Sequence, residues 1–224
     1  MAEQGAKKIR ITEDGPYMVS GGVPMHDETI GCDENGDGVE WIRGQDYPLK
    51  ENYALCRCGS SSNMPYCDGT HMRNGFDGTE CASRKPYLEE ARRFEGPDLE
   101  LTDVRSLCAF ARFCHRAGSI WRLIRRANDP EAREIAIQEG KDCPSGRLVV
   151  WTKEGEPFEP ELEPSIAVVH DPTTSPMGPL WVRGGIPVES ADGSTYEVRN
   201  RVTLCRCGKS VNKPFCDGSH AAEE

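Results

Sequence analysis

The sequence predicts an α+β protein: two small β-rich units with a small α/β module inserted between them. Three observations predict it. A segment near the N-terminus recurs near the C-terminus, each copy with short alternating apolar stretches and a Gly-Gly turn. The stretch between the copies carries helix-start signals that neither copy has. Hydrophobic residues make up only 37% of the 224, which is thin for one large core and favours small units held by extra staples.

The first copy opens with Gly-Pro-Tyr-Met-Val-Ser-Gly-Gly-Val-Pro-Met (Gly15 to Met25), the second with Gly-Pro-Leu-Trp-Val-Arg-Gly-Gly-Ile-Pro-Val (Gly178 to Val188). Each reads as a strand, a turn at the paired glycines, and a second strand opening at proline. Tyr47 to Leu55 then parallels Tyr196 to Leu204, with the alternation of a strand. The first copy is longer by an acidic, glycine-rich insertion around Gly31 to Gly38, expected as a surface loop. Asp33, Glu34 and Asp37 lack the spacing and terminal glutamate of a calcium loop.

Between the copies, apolar Val104, Leu107, Cys108 and Ala111 at near-helical spacing predict a helix over Leu101 to Ala117, capped by Thr102 or Asp103. A second helix is expected over Ser119 to Ala127. A third starts at Asp129-Pro130 and stops near Gly140, since proline suits the first helical position. Leu148 to Trp151 reads as a strand. Gly155 to Pro164 is acidic and proline-rich, a linker. The expected modules are residues 1–80, 81–164 and 165–224.

Charge narrows the function. A net charge of -10 leaves no basic face for nucleic acid or anionic membrane. No stretch approaches a membrane span, and the N-terminal residues lack the apolar core of a secretory signal, so a cytoplasmic protein is expected. In a reducing compartment clustered cysteines are metal ligands before they are disulfides, and an odd count of 11 forbids complete pairing.

Both copies end in one spacing, C-x-C-x8-C-x3-H. The candidates are Cys56, Cys58, Cys67 and His71 in the first copy, and Cys205, Cys207, Cys216 and His220 in the second. Four soft or borderline donors so close in sequence can close around one metal centre, and the repetition argues against chance. Three thiolates and an imidazole are also a common structural zinc set, so spacing alone leaves zinc open. Pro65 and Pro214 stiffen the approach to the third cysteine. Gly69 and Gly218 permit a turn before the histidine. Asp68 and Asp217 are placed to cap that turn, and Ser61 and Ser210 to bond sulfur or loop carbonyls.

Cys67-Asp68-Gly69-Thr70-His71 and Cys216-Asp217-Gly218-Ser219-His220, with the wider pattern C-x-C-x2-S-x3-P-x-C-D-G-[S/T]-H met in both copies, resemble the CDGSH iron–sulfur family. Thr70 replaces the serine of the name, a minor departure. The resemblance implies a [2Fe–2S] cluster in each copy. Cys56 and Cys58 would hold one iron with Cys67 and His71 on the other, and Cys205, Cys207, Cys216 and His220 would repeat this. It also implies two β-rich units packed together, here as a pseudo-dimer within a monomeric chain.

Cys108, Cys114 and Cys143-Pro144 form a second signal. Bacterial ferredoxins use C-x2-C-x2-C with a remote Cys-Pro; Ala111 occupies the middle position here, and the pattern resembles a divergent single-cluster ferredoxin. Three thiolates suit a [3Fe–4S] cluster, or a [4Fe–4S] cluster completed by water or a distant residue. Cys81 is the distant candidate, with His115 behind it. Cys81 and Cys32 read more simply as spectator thiols, His115 as solvent-facing, and the three cysteines alternatively as filling of a helical core.

These motifs lead to an iron–sulfur electron-transfer protein whose partners are redox proteins. The alternative is a [2Fe–2S] store that delivers clusters to apo-proteins. A histidine ligand in place of a thiolate raises the affinity for an electron, and its second nitrogen exchanges a proton, so proton-coupled redox is expected at His71 and His220. No nucleophile triad, phosphate loop or dinucleotide fingerprint points to an enzyme, and Gly21-Gly22 and Gly184-Gly185 are turns. The Trp121 to Arg126 run would suit an acidic partner, or simply a solvated helix face.

Overall fold

The computed structural model describes residues 5–174 and 177–221. Among these, twelve strands form three small sheets with three α-helices, the mostly β, α+β composition expected. No helix of the described residues is long and apolar enough to cross a membrane.

The first copy supplies β1 (Lys8–Ile11), β2 (Tyr17–Ser20), β3 (Met25–Cys32), β4 (Gly38–Asp46) and β5 (Asn52–Leu55). The middle region supplies α1 (Tyr87–Glu90), β6 (Arg92–Glu95), β7 (Glu100–Asp103), α2 (Ile120–Arg125), α3 (Pro130–Asp142) and β8 (Leu148–Trp151). The second copy supplies β9 (Ser165–His170), β10 (Leu180–Arg183), β11 (Val188–Glu189) and β12 (Arg201–Leu204).

The copies exchange strands. One sheet has the order β11-β1-β2-β5 and the other β12-β10-β9-β3-β4, so the first takes one strand from the second copy (β11) and the second takes two from the first (β3 and β4). Both crossings are parallel, with Ile9 opposite Val188 and Met25 opposite Ile166. They are closed by equivalent bonds, the Ile9 N–H donating to the Pro187 carbonyl and the Ile166 N–H to the Pro24 carbonyl, both at 2.9 Å. Equivalent Gly-Gly turns follow β2 and β10. Gly21 and Gly184 have φ of 84° and 72°, and each lies so close to opposing backbone that a Cβ would collide with it. Ile9, Val19, Leu55, Ile166, Val182 and Leu204 share one core drawn from both copies.

The middle region builds its own core. Leu99, Leu101, Ile120, Ile124, Ala136 and Val150 are buried between α2, α3 and the sheet β6-β7-β8. Asp129 caps α3, its carboxylate accepting from the Glu131 N–H at 3.1 Å, with Pro130 in the first turn. The expected second and third helices and the strand over 148–151 form.

The helix expected over Leu101 to Ala117 does not. Leu101 and Thr102 belong to β7, paired with β6 and β8. After a short 3-10 turn (Arg105–Leu107) the chain coils through residues 108–112, with φ of 57° at Phe110 and 60° at Arg112. The apolar spacing was genuine, but its residues face different cores: Val104 packs with Tyr87 and Val149, whereas Ala111 and Phe113 pack with Ile30, Ala167 and Trp181. The insertion at Gly31 to Gly38 is also more than a loop. It is the tip of the β3–β4 hairpin, whose turn the Asp33 carboxylate closes by accepting from Asn35 and Asp37 N–H groups at 2.9 Å.

Candidate iron–sulfur centres

In each copy the C-x-C pair follows a strand end (β5 or β12), and the third cysteine returns beside that strand. The Cys67 N–H donates to Ala54 O, and the Cys216 N–H to Thr203 O, both at 2.9 Å. Ser61 Oγ donates to Tyr66 O at 2.6 Å and Ser210 Oγ to Phe215 O at 2.7 Å, fixing the intervening loop. Asp68 accepts from Ser62 and Thr70 N–H groups, and Asp217 from Val211 and Ser219. Those bonds hold the Asp68 carboxylate far below its ordinary range, the Thr70 and Ser62 contacts dominating. Gly69 and Gly218 sit at φ 84° and 89°, where a glycine has no steric cost.

The donors fall into two pairs per copy. Cys56 Sγ and Cys58 Sγ are 3.7 Å apart and Cys205 Sγ and Cys207 Sγ 3.8 Å. Cys67 Sγ lies 3.4 Å from His71 Nδ1, and Cys216 Sγ 3.4 Å from His220 Nδ1. Two sulfurs on one tetrahedral metal with bonds of ~2.3 Å stand roughly 3.8 Å apart, so each pair has the spacing of two ligands on one metal atom. The Gly69 and Gly218 N–H groups point at the third cysteine's sulfur, at 3.4 and 3.5 Å, which favours thiolate.

Burial distinguishes the copies. Cys67 and His71 are part-exposed, whereas Cys216 and His220 retain 2% and 6% of their accessible surface. Burial pushes the Cys216 thiol well up and the His220 imidazole down. The contact between the two sulfurs raises the Cys205 thiol and holds Cys207 down to about 6. The two sites meet at their C-x-C-G turns. A Cβ at Gly59 would collide with the Cys207 carbonyl, and one at Gly208 would come within 2.7 Å of the Cys58 carbonyl oxygen.

Cys108, Cys114 and Cys143 line one pocket, open to solvent, with Pro144, Ser145 and Arg147. Burial, with Cys143 next in effect, pushes Cys114 up to about 12. Cys114 and Cys143 also pack against the core of α2 and α3, but the three cysteines together line one open pocket, an arrangement that fits an iron–sulfur group. Cys81 is exposed and its Sγ is 3.5 Å from Thr79 O; Cys32 contacts Arg112 and Thr173; His115 is exposed. None of the three lines the pocket.

Sequence reasoning missed the arginines. Arg147 forms a two-bond pair with Asp103 at 2.6 and 2.9 Å and places its charge beside Cys108. Arg57 and Arg206, the central residues of the two C-x-C segments, are 1% and 4% exposed, and their bonds run to backbone carbonyls such as Thr12 O and Gly178 O. Burial holds Arg206 down to about 10. Burying a guanidinium without an ion pair is costly, and among the described residues neither arginine has one, a setting suited to an anionic centre nearby. The signal, an arginine between two ligand cysteines in each copy, was present in the sequence.

The family model for the iron-binding zinc finger CDGSH type matches residues 14–72 and 177–221. A divergent 4Fe-4S mono-cluster model matches residues 94–153. The chain carries two CDGSH modules flanking one divergent 4Fe-4S module. Neither a curated protein nor a solved structure matches it. The CDGSH matches contain both candidate quartets, and the 4Fe-4S match contains all three cysteines of the pocket.

Proposed function

We propose that this iron–sulfur protein is an electron carrier rather than an enzyme. It would hold two [2Fe–2S] clusters, each on a Cys3His quartet, and a [3Fe–4S] or [4Fe–4S] cluster on Cys108, Cys114 and Cys143. The observation that carries the reading is the paired donor geometry, repeated in both copies within 0.1 Å at the sulfurs, at 3.7 and 3.8 Å. Such clusters supply reversible one-electron chemistry when bound.

The chain's own groups do the rest. The Gly69 and Gly218 amides stabilise thiolate, Arg57 and Arg206 balance negative charge, and the loops closed by Asp68 and Asp217 hold the donors in place. His71 turns Nδ1 toward Cys67, leaving its other ring nitrogen for a proton that accompanies the electron. The test is a potentiometric titration followed by EPR on anaerobically purified protein. Three reducible centres, and a [2Fe–2S] potential that falls as pH rises from about 6 to 9, are expected. Protein loaded with zinc and devoid of sulfide would contradict the reading.

The part-exposed Cys67 and His71 favour a second reading, cluster delivery from the first site to apo-proteins. Transfer to an apo-ferredoxin within minutes, faster than reduction by a partner, would support it over electron transfer.

A further inference from the structure

We infer that residues 108–112 join the three-cysteine site directly to the second CDGSH site, making that buried site an internal relay and the part-exposed first site the port to partners. The inference rests on the iron–sulfur reading above.

Gly218 lies between Cys216 and His220. A Cβ there would stand 3.1 Å from the Cys108 carbonyl oxygen and 3.4 Å from Phe110 Cβ, so the two ligand loops are in backbone contact. At Gly69, the equivalent position, the same Cβ would meet only the flexible end of Met72 at 3.2 Å. Four further contacts fasten the middle module to the second site. Arg112 grips Asp171 through two bonds of 2.6 and 2.9 Å. Asn212 Nδ2 donates to Ser106 O at 2.9 Å. Arg201 Nε donates to the carbonyl of Cys143 at 2.8 Å; the first copy has Asn52 there. Trp41 packs against Phe113 and Trp181 with ring centroids 4.8 and 4.7 Å away.

Two of the three middle cysteines are thus held by their own backbone against the second CDGSH unit. With Cys205, Cys216 and His220 buried, this centre offers a partner protein less surface than the first site does, where Cys67 and His71 are part-exposed. Electron tunnelling falls steeply with distance, so its exchange runs through its neighbours. An electron passing from the Cys108–Cys114–Cys143 site to the Cys205–Cys207–Cys216–His220 site leaves the first oxidised by one and the second reduced by one. No bond is made or broken. The packed turns at Gly59 and Gly208 then carry it on to the first site.

The experiment is microwave power saturation in EPR of the full chain reduced with dithionite, in the parent, Cys143→Ala and His71→Cys. His71→Cys moves one [2Fe–2S] signal and so assigns it to the first site. The parent is expected to show the other signal saturating at several-fold higher power, through spin coupling to the three-cysteine centre. Cys143→Ala is expected to abolish that difference and leave the first signal unchanged. Equal saturation in the parent, a comparison that needs no variant of the middle module to fold, overturns the inference, as does a difference that survives Cys143→Ala. Protein devoid of sulfide would sink the iron–sulfur reading and this inference together; full iron and sulfide with equal saturation would sink this inference alone.

Discussion

The two CDGSH modules share a motif, a strand pattern and, to 0.1 Å, the spacing of their cysteine pairs, at 3.7 and 3.8 Å, yet they occupy different surroundings. The first keeps Cys67 and His71 part-exposed beside an exposed Met72. The second lies beneath the 108–112 loop, with Cys216 and His220 buried. Ligand geometry is therefore a local property written into sixteen residues, whereas access to solvent is set by what packs on top. A duplicated site becomes two different sites without any change in its ligands.

The largest expected effect comes from cutting the latch that covers the second site. The Arg112–Asp171 pair is mostly buried, at 12% and 1% exposed, and removing one partner of a buried pair costs about 3–5 kcal/mol. Asp171→Ala should lower the denaturation midpoint accordingly and speed amide exchange over residues 108–112. An unchanged midpoint would mean that the latch does not hold the cover. Next in size is a glycine comparison. Gly69→Ala meets left-handed strain of about 1–2 kcal/mol, and Gly218→Ala adds crowding against Cys108 and Phe110. Gly218→Ala should destabilise the protein by a further ~1–2 kcal/mol, read from thermal melts; equal losses would remove the asymmetry.

A smaller effect concerns pH. Glu139 is fully buried beneath the middle module. Burial raises its carboxyl to about 7, and among the described residues only Oε1 has a partner, the Ala117 N–H at 3.2 Å. The folded state thus holds this proton more tightly than the unfolded chain. Its stabilising contribution is full below about pH 4.5 and is lost as pH rises towards about 7. Glu139→Gln should flatten that slope, by on the order of 1–2 kcal/mol across the window, in denaturant titrations at pH 5 and 8. A slope unchanged by the substitution would place its origin elsewhere.

How much of this was legible in the sequence follows from range. The quartets were, because each is contained in a short stretch whose glycine, proline and serine serve the same turn. The Gly-Gly turns and the caps of α3 were legible for the same reason. The strand exchange was not, since nothing in Met25 to Cys32 says that its parallel neighbour begins at Ser165. β4 escaped because, apart from Gly38, its residues are part or fully exposed and show no alternation. The helix over Leu101 to Ala117 was misread because apolar residues serving several cores fell at helical spacing by coincidence. Arg112 and Arg201 act through partners about 60 residues away, beyond any local pattern.

The most direct test of the central contrast is chelator-driven loss of the visible chromophore from the fully loaded protein. If one CDGSH centre is open and its twin covered, [2Fe–2S] absorbance should decay in two phases of equal amplitude, at least about tenfold apart in rate, one order of magnitude corresponding to 1.4 kcal/mol of protection. Asp171→Ala should accelerate the slow phase alone. A single phase for both centres, or a slow phase indifferent to Asp171→Ala, would contradict the account.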